Sequence, residues 1–253
     1  NNTTGSSSVA MGYQALYTST AVGGHVAIGT SALYSTNTTG DGSNIGIGIG
    51  AGFSISTGKG NTGIGQAALY ATTTGAGNVA VGGYDGAVNP TMRFNTTGSF
   101  NSALGTGALA SNTTASNNTA VGYQALYANT TGSVNTAVGY QALLANTTGS
   151  DNVAVGSSAL VANTTASNST AIGWRAGFSN QTGASNTFIG KDAGYSTTGG
   201  FNTFVGSGVS GGAGESITSG TKNTIIGSYN GNQGGLDIRT ASNYIVSSNQ
   251  HKR

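Results

Sequence analysis

The amino-acid sequence predicts an all-β fold, a parallel β-solenoid (β-roll) of about thirteen coils with a 17-residue period and two short strands per coil. Three observations predict it. Glycine recurs every seventeen residues at Gly105, Gly122, Gly139, Gly156, Gly173 and Gly190, and Gly12, Gly29, Gly48, Gly65, Gly82, Gly206 and Gly227 share its setting. The residue before each of these marker glycines is aliphatic, and asparagine stands four residues before it in ten of the thirteen copies. Charged residues are only 6% of the chain, and the apolar residues sit at fixed places in each copy, which separates a stacked repeat from a disordered low-complexity tract.

Each position of the repeat carries an expectation. The aliphatic residue before the glycine (Val121, Val138, Val155 and their equivalents) is expected to form an inward-pointing column in a strand. A second inner column lies four residues after the glycine, at Leu16, Leu33, Leu69, Leu109, Leu126, Leu143 and Leu160. Where glycine replaces that leucine an aromatic follows at once (Gly52-Phe53, Gly177-Phe178, Gly194-Tyr195), and the aromatic is expected to fill the same pocket. The asparagines Asn118, Asn135 and Asn152 are expected to stack as an amide ladder. Asn-Thr-Thr-Gly segments such as Asn129–Gly132 read as the second turn, and Asn112, Asn129, Asn146 and Asn163 match the Asn-x-Thr glycosylation pattern, as a chain this rich in both residues does by chance. The two strands are expected at about 118–122 and 125–128 in the reference copy. Ala or Gly before the aliphatic column gives a smooth face for close packing between copies, predicting a side-by-side homotrimer.

Composition narrows the function. The net charge of +2 comes from singly placed residues, so the chain has no basic stripe for nucleic acid; the basic end His251-Lys252-Arg253 reads as a solvated tail. No run of eighteen apolar residues occurs and no signal-peptide pattern opens the sequence, so no membrane insertion is expected. Cysteine is absent, the histidines are His25 and His251, and the acidic residues form no recurring pair. Neither an enzyme nor a metal or cofactor site is expected. Residues 1–233 read as one repeat domain and 234–253 as a C-terminal strand or tail segment.

The strings His25-Val-Ala-Ile-Gly29, Asn135-Thr-Ala-Val-Gly139 and Asn152-Val-Ala-Val-Gly156 resemble the head repeats of YadA-like trimeric autotransporter adhesins. The fuller unit Thr136-Ala-Val-Gly-Tyr-Gln-Ala-Leu143, with Asn-Thr-Thr-Gly between units, is similar to repeats of bacteriophage tail-fibre proteins, and residues 235–246 resemble the segment that joins such repeats to an intramolecular chaperone. The resemblance implies a trimeric β-roll on a virion or cell surface. The autotransporter heads repeat at a shorter period, and this chain shows no coiled-coil stalk, which favours a tail fibre over a bacterial adhesin or filament subunit. An ice-binding solenoid is the third alternative, because Thr130, Thr147 and Thr164 would stack in a column.

Candidate binding residues lie where the repeat is irregular. Trp174, Arg175, Lys191 and Asp192 follow the marker glycines of successive coils, and that edge is expected to contact a host-surface glycan or protein by stacking and charge-assisted bonds. Tyr123, Tyr140, Gln124 and Gln141 occupy the same two positions. The long interval between Gly82 and Gly105 is read as an insertion holding Asp85, Pro90, Met92, Arg93 and Phe94, and that between Gly206 and Gly227 as a flexible loop.

Overall fold

The structure, a computed structural model, describes residues 7–19, 23–38, 42–208, 211–233 and 236–247. The chain divides into two compact units, Asn1–Ser133 and Val134–Arg253. Each is a parallel β-solenoid; the chain has about thirteen turns, with no helix among the described residues. In the first unit the strands Val9–Met11, Val26–Ile28, Ile45–Ile47, Thr62–Ile64, Val79–Val81, Ser102–Leu104 and Thr119–Val121 stack in chain order. In the second, Thr136–Val138, Val153–Val155, Thr170–Ile172, Thr187–Ile189, Thr203–Val205 and Thr224–Ile226 do the same, and Ile245–Ser247 adds a rung beside Thr224–Ile226. Within each unit the register is constant, marker glycine over marker glycine, from Val9–Met11 to Thr119–Val121 and from Thr136–Val138 to Thr224–Ile226.

The inside and outside of the strand are the reverse of the expectation. The middle residue, Ala27, Ala120, Ala137, Ala154 or Ala171, is fully buried, while the aliphatic residue after it is half-buried or exposed, reaching 51% at Leu104 and 57% at Ile226. Strand side chains alternate between faces. One inward residue per three-residue strand therefore has to be small, because the space beneath it holds the leucine of the same core. Val121 in the first unit and Val138 and Val155 in the second belong to outer files, and the small residues line no smooth exterior face.

Each regular coil has one strand, and the residues expected as a second strand run as turns. Those turns are left-handed at regular places: Gln124 and Leu126 in one coil (φ 55° and 52°), Gln141 and Leu143 in another (φ 55° and 52°), with a third such residue before most strands, as at Asp151 (φ 58°). Left-handed backbone costs about 1–2 kcal/mol per non-glycine residue, and the core offsets it. Leu126 and Leu143 are fully buried, and burying a leucine contributes about 1.5–3 kcal/mol. The marker glycine itself has no substitute. Gly139 and Gly156 lie at φ 136° and 135°, and a Cβ on Gly156 would sit 2.5 Å from the Gly173 carbonyl oxygen.

Left-handed backbone at the leucine position also explains why glycine replaces leucine there, at Gly52, Gly177, Gly194 and Gly214. The vacated space is not filled by the aromatic that follows. Ile55 fills it beside Gly52, Phe188 beside Gly177 and Gly194, and Phe204 beside Gly214, all three fully buried. Phe188 and Phe204 stand at the strand's inner position, so bulk has crossed the core from turn to strand. The following aromatics stay outside in a stacked file. Tyr17, Tyr34, Phe53 and Tyr70 lie 5.3, 4.9 and 5.0 Å apart in sequence.

Two amide ladders complete the interior. In the first, Asn78 donates to Asn61 Oδ1 (3.0 Å), Asn101 to Asn78 (3.1 Å) and Asn118 to Asn101 (3.2 Å), and Asn152 donates to Asn135 (3.1 Å) in the second unit. The second ladder comes from the Asn-Thr-Thr-Gly turns: Asn112 donates to Asn95 (2.7 Å), Asn129 to Asn112 (3.0 Å) and Asn163 to Asn146 (2.9 Å). Because these asparagines are fully buried, the four sequons present no acceptor amide in the folded chain.

Candidate surface-binding site

Trp174 and Arg175 leave the strand at Gly173, and Lys191 and Asp192 leave the next at Gly190. The backbone stacks them directly, with Asp192 N–H donating to Trp174 O at 2.9 Å and Arg175 N–H to Ser157 O at 3.0 Å. All four expected residues meet. Arg175 Nε donates to Asp192 Oδ1 at 2.8 Å, and the Asp192 side chain is only 5% exposed. The Arg175 guanidinium carbon lies 3.7 Å from the centroid of the Trp174 ring and 4.7 Å from that of Tyr195. Lys191 Nζ is 5.3 Å from the Trp174 centroid and 4.0 Å from Asp192 Oδ2.

This geometry separates a fixed part from an available one. The hydrogen bond to Asp192 pushes the Arg175 pKa further up, with smaller contributions from Tyr195 and Glu215, and the cation is held by the protein's own aromatic and acidic groups. What reaches solvent is the indole of Trp174, 44% exposed, and the ammonium of Lys191. A rigid ring beside a positive charge suits stacking against a sugar face or a planar group. Tyr195 was expected in the leucine pocket rather than on this edge, and Glu215 was not singled out in the sequence. The signal for Tyr195 is the aromatic five residues after the marker glycine, which recurs at Tyr17, Tyr34, Phe53, Tyr70, Tyr127 and Phe178, and Phe178 and Tyr195 stack at 4.9 Å.

Arg93 and Phe94 belong to the first unit. Arg93 lies 5.3 Å from the Phe94 ring centroid and Phe94 is exposed. The insertion itself is shorter than expected. Met92 is fully buried in the leucine column at φ 51°, and Thr91 is buried with its hydroxyl donating to Gly105 O at 2.7 Å, so the regular coil resumes there. The excursion is tied down at both ends. Asp85 accepts the amides of Ala87 and Val88 (3.0 and 2.8 Å), which lower its pKa, Val88 packs where Gly107 lacks a side chain, and Asn89 Nδ2 donates to the Tyr127 hydroxyl at 3.0 Å.

The other irregular interval contains an antiparallel ribbon of Ser207–Gly208 and Gly211–Gly212 rather than a featureless loop; residues 209 and 210 lie outside the described residues. Farther on, Thr218, Asp237, Arg239 and Thr240 line a groove of about 360 Å³, in which the hydrogen bond from Arg239 lowers the Asp237 pKa to about 2. The basic end at 251–253 lies outside the described residues. Among the described residues no group of three potential metal ligands occurs and no helix is long and apolar enough to cross a membrane. Compared with known proteins, the chain matches no family model, no curated protein and no solved structure.

Proposed function

We propose that the chain is a non-enzymatic shaft segment of an extracellular fibre, of the tail-fibre kind, that assembles side by side with copies of itself, most simply as a homotrimer, and attaches to a host surface through its turn edge. The observation that carries this reading is the outer strand face. In the second unit Val138, Val155, Ile172, Ile189, Val205 and Ile226 form one outward file, flanked by a file of Thr and Val, and no charged side chain interrupts either. Uncharged aliphatic faces of this regularity mark association surfaces. The interface therefore runs over the aliphatic file, and not over the buried alanines.

The attachment edge is the Trp174–Lys191 patch, with a glycan as the favoured ligand class. A bacterial adhesin or filament subunit would use the same two faces. The ice-binding alternative gains nothing from its threonine column, since Thr147 and Thr164 spend their hydroxyls on Thr164 O (3.0 Å) and Gln181 O (3.2 Å) of the following coils.

Because the chain has no cysteine, a single introduced thiol reports the interface. Under mild oxidation Ile172→Cys is expected to give a covalent dimer and Ser179→Cys none. Equal cross-linking at both sites sinks the assignment of the face. A glycan array with Trp174→Ala as control tests attachment separately.

A further inference from the structure

In every coil the backbone N–H of the first-ladder residue needs an acceptor from the coil before it. Asn61 N–H finds Asn44 Oδ1 at 2.8 Å, Asn78 N–H finds Asn61 Oδ1 at 3.0 Å, and Asn101 N–H finds Asn78 Oδ1 at 3.0 Å. Near the start of the first unit a different group serves. His25, 1% exposed, accepts the Asn44 N–H on Nδ1 at 3.1 Å, while its own backbone N–H donates to Ser8 Oγ at 3.1 Å.

The surrounding bonds fix the state of the ring. The Thr38 hydroxyl donates to Gly42 O at 3.3 Å, so its oxygen is left to accept from His25 Nε2–H, 3.2 Å away. Nδ1 then carries the lone pair and the imidazole is neutral. An asparagine rung cannot change charge; this one can. A proton on Nδ1 would set two donors against each other in a site closed to water, leaving the Asn44 amide without its acceptor.

The groups packed around the ring do not stabilise an imidazolium. Ser8, Gly23, Thr38, Gly42 and Asn44 are neutral. Lys59, whose methylene stem lies against Gly42, has the same sign as a protonated histidine. The Asp85 carboxylate is engaged by the amides of its own turn, and Asp41 lies outside the described residues.

We propose that His25 is an acid-sensitive rung: protonation at Nδ1 releases the coil spanning His25 to Thr38 from the coil headed by Asn44, while the asparagine rungs farther along the unit hold. Burial lowers the His25 pKa from its ordinary 6.5, consistent with this geometry. The opened coil then takes up a proton near that ordinary value and the closed coil only at lower pH. Stability of this rung is complete above 6.5 and declines as pH falls below it, until the lowered folded value is reached.

Hydrogen exchange on the full chain between about pH 7.5 and pH 5, corrected for the intrinsic exchange rate, tests this. Peptides covering residues 23–47 are expected to lose protection by up to about tenfold per pH unit below 6.5, while those around Asn78 to Asn118 stay level. His25→Asn, which restores the common rung, removes the dependence. A flat wild-type profile, or the same dependence in His25→Asn, overturns the proposal. Nitrogen NMR of the wild-type imidazole decides independently of any variant: the neutral Nε2–H tautomer supports it, and an Nδ1–H tautomer at neutral pH overturns it.

Discussion

Ser169→Asn is expected to stabilise the second unit, and the reason lies in a fault in the ladders. Ser169 stands where its neighbours have asparagine. It still accepts the Asn186 N–H, at 3.2 Å, but offers no Oδ1 to the Asn186 side chain, whose Nδ2 turns to Gly183 O at 2.8 Å. That carbonyl is the equivalent of Ala166 O, which Asn163 of the second ladder uses at 3.1 Å. Asn180, the next residue of that ladder, is buried with both side-chain polar atoms unpartnered, and Asn163 Oδ1 is orphaned beneath it. An asparagine at 169 would give Asn186 its usual acceptor and return Gly183 O to Asn180. Relieving a buried unsatisfied amide is worth about 1–3 kcal/mol and each added hydrogen bond about 0.5–1.5 kcal/mol, against some crowding from the larger side chain. The net expectation is about 2 kcal/mol, or about a 30-fold rise in local protection. Hydrogen exchange is the appropriate assay, because a repeat stack need not unfold in one step. In an Asn180→Thr background the gain should fall by at least about 1 kcal/mol. An undiminished gain there, or none in the wild type, would refute the coupling of the two ladders.

Other substitutions probe the coil directly. Gly156→Ala places a Cβ 2.5 Å from Gly173 O at φ 135°, and a loss of more than about 3 kcal/mol is expected in chemical denaturation of the second unit. Thr36→Val removes a buried hydroxyl that has no partner, because Ile55 occupies the next place in its column; a gain of about 1 kcal/mol is expected from the urea midpoint. Ala154→Asp should unfold its coil by circular dichroism while Val155→Asp leaves the coil folded, since only the first side chain points inward.

The period, the strand position, the first ladder and the glycine turn were all legible in the sequence, because each recurs at one place in the coil. The facing of the strand was not. An Ala between two β-branched residues reads as the weaker apolar position, yet inside a coil this narrow only the small residue fits above Leu126 or Leu143. The same limit hid the route by which Phe188 replaces leucine volume, since the compensating residue lies eleven positions from Gly177 rather than beside it. The second ladder had a plain signal, Asn95, Asn112, Asn129, Asn146, Asn163 and Asn180, obscured by a tripeptide that reads equally well as a turn. At the candidate site, adjacency followed from the period alone. The pairing of Arg175 with a buried Asp192 did not, because burial at a turn edge depends on what the next coil lays over it.

Side-by-side association over the outer aliphatic file is the central claim, and light scattering of the purified chain tests it most directly. The account predicts a particle mass that is a multiple of the 24.7 kDa chain, most simply three chains, and its collapse to one chain in the double variant Ile172→Glu, Ile189→Glu with the fold retained. A single-chain mass for the wild type at micromolar concentration, or an assembly indifferent to both charges, would contradict it.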